Sequence, residues 1–215
     1  MRQESRARLQ PPTTSWPATG IASRAARLPV ALASGDMTEF LTDIETLRRN
    51  ARQHIEQGPI TEAYGADRAR VIAVLNEVLA TELVCVLRYK RHYYMAEGLN
   101  SGPVAAEFLQ HANEEQGHAD MVANRIVQLQ GEPDFNPATL VQRSHAEYAP
   151  GSDLIDMIRE DLVAERVAIA SYQEIVRWLA NNDTTTRRMI EDILAVEEEH
   201  ADDLLTLLKE MGQSG

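Results

Sequence analysis

Cysteine occurs once in the 215 residues, at Cys85. One chain therefore has no disulfide framework and no thiolate zinc or rubredoxin-type site, a usage that fits a reducing cytoplasm. Aromatics are 5% of the chain and glycines number 11, too few for the β-rich, turn-dense classes, whereas Ala, Leu, Val, Ile, Glu and Arg favour helices. Nowhere do about 18 apolar residues run together, so no membrane span is predicted. Basic charge is also short: 21 Lys and Arg face 33 Asp and Glu, for a net −12. A generic nucleic-acid-binding body would show the opposite balance.

The first 36 residues differ in kind. They hold Pro11, Pro12, Pro17 and Pro29 and five arginines, against two acids. Such a stretch reads as a disordered tail or a non-native segment upstream of Met37, and it is the one place where clustered arginines could meet DNA. Its apolar part, Leu28 to Ala33, is too short and too broken for a signal peptide.

Beyond it, apolar residues recur with helical period. Phe40, Ile44, Leu47, Ala51 and Ile55 predict an accessory helix over 37–57, stopped by Gly58-Pro59. Four long amphipathic segments follow over 67–212. The first spans about Asp67 to Glu97. The second runs from Pro103 to about Gln130 and ends at Gly131. The third, capped by Ser152, reaches about Asn181, and the fourth runs from Asp183 to about Met211. Short links after the first and third make antiparallel hairpins. The middle link has about 22 residues, with one helical turn predicted around Thr139 to His145, and extended it reaches about 70 Å. A 28-residue helix is about 42 Å long, so the link can run the full bundle and set the second and third helices parallel.

Each of the four stripes carries a carboxylate where a core residue belongs: Glu82, Glu115, Glu165 and Glu197. An ionised carboxylate in a dry core is costly, and four converging ones repel unless cations compensate. The helix midpoints fall near 82, 117, 167 and 198, so the four glutamates share one layer. Two helices add a histidine three residues on, in Glu115-Gln-Gly-His118 and Glu197-Glu-Glu-His200, on the same face. Glu82 and Glu115 are 33 residues apart, Glu165 and Glu197 are 32 apart, so the two halves repeat. Four carboxylates and two imidazoles suit two divalent cations, iron or manganese. This ligand pattern is the one known from the di-iron carboxylate bundles.

Neighbouring residues have plainer readings. Glu114, four before His118, is an alternative ligand, but the residue four before His200 is Val196, so the repeat argues against it. His111 reads as a hydrogen-bonded core histidine and Cys85 as a small buried hydrophobe. Tyr89, two turns after Glu82, is either a core tyrosine or an electron donor during oxidation.

From about residue 68 to 211 the chain resembles bacterioferritin and its ferritin-like relatives. The stretches that carry the likeness are Asn76-Glu-Val-Leu-Ala-Thr-Glu-Leu-Val84, Glu114-Glu-Gln-Gly-His-Ala-Asp120 and Glu197-Glu-Glu-His-Ala-Asp202. The resemblance implies an all-α, ferritin-like antiparallel four-helix bundle with one long crossover, here with an extra N-terminal helix. It implies terminal ligands Glu82 and Glu165, bridges Glu115 and Glu197, and imidazole ligands His118 and His200. Tyr89 matches the tyrosine that bacterioferritins carry beside the di-iron centre. The activity implied is a ferroxidase that oxidises Fe(II) with O2 or H2O2 and stores iron in a homo-oligomeric shell.

Haem is not implied, because Gln116 stands where bacterioferritin has its haem methionine. Only 15 residues follow His200, too few for the fifth helix of 24-subunit shells, which points to the twelve-subunit mini-ferritins. Competing readings are a DNA-protecting mini-ferritin of the Dps type and a peroxide-detoxifying enzyme like rubrerythrin or manganese catalase.

Overall fold

A computed structural model describes residues 42–97 and 101–212; the predicted N-terminal tail, and the predicted first helix up to residue 41, lie outside them. Six α-helices follow: α1 Ile44–Asn50, α2 Arg68–Met95, α3 Ser101–Gln128, α4 Leu140–Arg143, α5 Leu154–Leu179 and α6 Thr184–Gly212. The accessory helix is much shorter than its stripe. It has no buried residue, and the chain leaves helical geometry at His54, whose φ is +51°, before a 3-10 turn at Ile55–Gln57. With no apolar face packed away, a seven-residue helix has little to extend it.

The four long helices form the bundle, and aspartates start three of them. Asp67 Oδ1 accepts from the Arg70 amide at 3.1 Å, Asp153 Oδ1 from Asp156 at 2.9 Å and Asp183 Oδ1 from Thr186 at 2.9 Å. Such caps contribute about 1 kcal/mol each. The third cap is therefore Asp153 and not Ser152, which instead donates its hydroxyl to Asp156. Asp183 also ties the bundle end together, accepting from Tyr64 Oη at 2.9 Å and from Arg125 at 3.0 Å. At the close of α3, Gln130 takes the left-handed conformation and Gly131 packs so tightly that a Cβ would stand 2.8 Å from Ile72.

The crossover climbs α2 from one end to the other. Asn76 binds Glu132 and Asp134, Thr81 Oγ1 accepts from the His145 amide, Arg88 donates to the Glu147 carbonyl, and His92 and Arg91 reach the Pro150 carbonyl. Its far end is held by a buried charge group, in which Arg88 Nε and His92 Nδ1 lie 2.7 and 2.8 Å from Asp161. Asp161 is near the start of α5 while Arg88 and His92 are near the end of α2, so these helices are antiparallel. Arg125, late in α3, meets Thr186 at the start of α6, so that pair is antiparallel too. The helices α3 and α5 are therefore parallel across the diagonal, as the long link requires.

Two apolar clusters fill the interior. One is built on Val71, Leu75, Val78, Ile126, Leu179 and Ile190, the other on Tyr89, Phe108, Ile158 and Leu204. The polar layer lies between them. Among the described residues no helix is long and apolar enough to cross a membrane.

Candidate metal centre

In that layer the bundle brings together all six residues singled out by their spacing. Glu82, Glu115, His118, Glu165, Glu197 and His200 are each at most 5% exposed. They form two overlapping groups, Glu82, Glu115, His118 and Glu197 on one side and Glu115, Glu165, Glu197 and His200 on the other. Glu115 and Glu197 belong to both. Glu197 turns Oε1 to His118 Nδ1 at 3.1 Å and Oε2 to His200 Nδ1 at 3.5 Å. Glu115 does the converse, with Oε2 3.5 Å from His118 and Oε1 3.6 Å from His200. Glu82 Oε2 stands 3.4 Å from His118.

Seven atoms of these residues are buried without a hydrogen-bond partner: Glu82 Oε2, Glu115 Oε1, His118 Nδ1, Glu165 Oε2, both Glu197 oxygens and His200 Nδ1. An unsatisfied buried polar group costs about 1–3 kcal/mol, more when charged, so seven aimed at one another fit metal ions between them. Oxygen-rich donors with two imidazoles suit hard-to-borderline divalent cations.

Electrostatics without metal bear this out in their directions. Burial raises the Glu82 carboxyl to about 8, with the Glu115 charge adding to it, and burial with Glu115 and Glu197 raises Glu165 well above the ordinary range. For His118 and His200 burial opposes the charged ring, yet the surrounding glutamates win and lift them to about 12 and about 11. Glu197 feels burial and Glu82 pushing its pKa up, but its contacts with the two histidines hold it below the usual value.

Two tyrosines close the site, one for each half. Tyr89 Oη donates to Glu165 and Tyr172 Oη donates to Glu82. Tyr89 lies seven residues after Glu82, and Tyr172 seven after Glu165, so each α2 or α5 tyrosine reaches the glutamate of the opposite helix. Burial, then the carboxylate partner, raises both phenols well above their normal range and keeps them donors. Sequence reasoning singled out Tyr89 and passed over Tyr172 as core; the repeated spacing of seven was the available signal.

The remaining candidates also fall into place. Glu114 does not pair with His118 and instead accepts from His200 Nε2 at 2.9 Å, which turns Nδ1 toward the centre. His111 is buried, its Nδ1 lies 3.2 Å from Tyr89 Oη, and its ring stacks on His200 at 3.9 Å. Burial and His200 lower its pKa to about 3, so the ring is neutral. Cys85 is buried, and its sulfur accepts from Arg88 at 3.6 Å. Gln116 is exposed and donates to Asp120 on the outer face.

A four-helix bundle enclosing a buried carboxylate–histidine centre is the class of protein that fold and site define. Comparison with known proteins makes it more particular. The family model described as a ferritin-like domain matches residues 72–213. The bacterioferritin of Mycobacterium leprae is 30% identical over 146 residues, covering 67% of this chain and 87% of that protein. Among solved structures, a dodecameric thioferritin, the bacterioferritin-related protein from Bacteroides fragilis, superposes with a TM-score of 0.67 at 32% identity, over 70% of this chain and 90% of that one. The Rhodobacter capsulatus bacterioferritin, solved with a metal-free dinuclear site and haem iron, gives 0.60 at 27% identity over 68% and 88%. The chain belongs to the ferritin-like family.

Proposed function

We propose that this protein is a di-iron ferroxidase that oxidises Fe(II) and stores or detoxifies the product. The seven unpartnered buried atoms converging between α2, α3, α5 and α6 carry this reading. Glu82 and His118 would hold one Fe(II), Glu165 and His200 the second, and Glu115 and Glu197, which belong to both groups, would be shared between them. Manganese would fit the same donors. Each iron gives up one electron, and the pair takes O2 to H2O2, or H2O2 to two waters, with two protons.

The protein contributes position and charge. Four carboxylates match the positive charge that increases on oxidation, which favours the ferric product. Tyr89 and Tyr172 orient the terminal carboxylates by donating their phenol O–H to them. Burial between two apolar clusters excludes bulk water. The likeness to a dodecameric relative supports a homo-oligomeric shell of twelve for this chain as well.

Two measurements on purified protein test the reading. Rapid oxidation should consume two Fe(II) per chain and run faster than in buffer, and Glu197→Ala should bring the rate close to that of buffer. A variant that keeps the wild-type rate would sink the assignment.

A further inference from the structure

A second polar cluster sits beside the centre and has no part in the six-residue set. Glu107 and His111 of α3 and Asp203 of α6 offer ligand atoms that all lie within 4.8 Å of one another. The side chain of His111 is fully buried, while those of Glu107 and Asp203 are 28% and 45% exposed, so the cluster joins the interior to solvent.

We propose that Glu107, His111 and Asp203 bind a third divalent cation, such as Fe(II), Mn(II) or Zn(II), on the His200 flank of the dinuclear centre. The proposal rests on the reading above in one respect, that Glu165 is an anionic ligand. Tyr89 then donates its O–H to Glu165, so its oxygen can only accept from His111 Nδ1. Nε2 is the nitrogen left over. It is buried, lacks a hydrogen-bond partner, and faces Glu107 Oε1 at 3.2 Å and Asp203 Oδ2 at 3.9 Å. A buried nitrogen set between two carboxylates with no hydrogen bond is an arrangement that a bound cation completes. Ligands bound at about 2.1 Å to one ion stand ~3.0–3.4 Å apart, so Glu107 is already placed and the half-exposed Asp203 needs a small rotation.

The internal repeat shows that the fold does not demand these residues. Under the exchange that carries Glu115 to Glu197 and His118 to His200, Glu107 becomes Met189, His111 becomes Ile193 and Asp203 becomes Met121. The matching flank is apolar throughout. The structure therefore assigns the polar set to a ligand on one side of the centre only. Two carboxylates and one imidazole select a hard-to-borderline metal over a soft one.

Zn(II) equilibrium dialysis of the assembled full-length protein, wild type beside E107Q/D203N, decides the point. Wild type should retain one more zinc per chain than the double variant, and Zn-edge anomalous diffraction should place that ion on His111 Nε2. Equal counts would overturn the proposal and mean that a proton occupies the cluster. The number of ions the double variant retains reports separately on the dinuclear centre, where two are expected, so the two readings can fail independently. Native mass and helical circular dichroism guard against misfolding. D203N alone, on the exposed flank, should weaken the extra ion by about tenfold and serves if the double variant is unstable.

Discussion

The two halves of the centre match within their ligands and part company just outside them. Each half has a glutamate of its own, a histidine, a share of Glu115 and Glu197 and a tyrosine from the opposite helix. Outside that set, the His200 half is backed by Glu114, His111, Glu107 and Asp203. The His118 half has Val196, Ile193, Met189 and Met121 at the corresponding positions. Binding two ions requires only the inner symmetry. The outer difference makes the two halves inequivalent: one imidazole is oriented by a carboxylate and stacked on a second ring, and one phenol is tied into a longer hydrogen-bond chain. Related halves can keep their ligands and still diverge in access and affinity.

The largest effects should come from the terminal ligands. Glu82→Ala and Glu165→Ala should each bind one Fe(II) per chain fewer than wild type, and stopped-flow oxidation should fall to a small fraction of wild type. A wild-type complement of bound Fe(II) in either variant would break the assignment of one glutamate to each half.

A difference between the halves should appear next. Glu114→Gln removes the charge that holds His200, which typically costs 10–100-fold in metal affinity, and only one of the two binding steps should weaken. Val196→Ala, at the matching position, should leave both steps near wild type. Equal effects of the two substitutions in calorimetric titrations would erase the contrast. Tyr89→Phe should slow oxidation more than Tyr172→Phe, because only Tyr89 also joins His111.

The mildest test uses protons. Without metal, His118 and His200 are raised to about 12 and about 11, and Glu82 to about 8, so all three are mainly protonated at pH 7. Ligands must lose those protons, so cation binding releases them and affinity rises with pH. Near pH 7, calorimetry in buffers of different ionisation enthalpy should find at least two protons released per chain. Binding without proton release would contradict the charge state derived for the metal-free layer.

Much of this was legible in the chain. Amphipathic period, two short links and one long link are local features, and they produced the bundle and its parallel diagonal. The six candidate ligands could be read because residues three apart on a helix share a face and because midpoints of antiparallel helices align. The accessory helix misled, since an apolar stripe predicts a helix only where something covers it. Tyr172 was hidden for a related reason: a tyrosine on a core stripe shows no preference for one carboxylate until the opposite helix is in place.

The residues by themselves determined which faces are buried, where the helices turn, and that four carboxylates must meet in one layer, because periodicity and spacing are properties of the chain alone. Tertiary packing decided which oxygen of Glu115 and Glu197 faces which histidine, that each tyrosine crosses to the other hairpin, and that the crossover runs along α2. It also placed Asp203 of α6 beside His111 of α3, residues 92 positions apart. Such pairings depend on the rotation and axial shift of one helix against another. The contacts of the whole interior set those quantities, and no local pattern does.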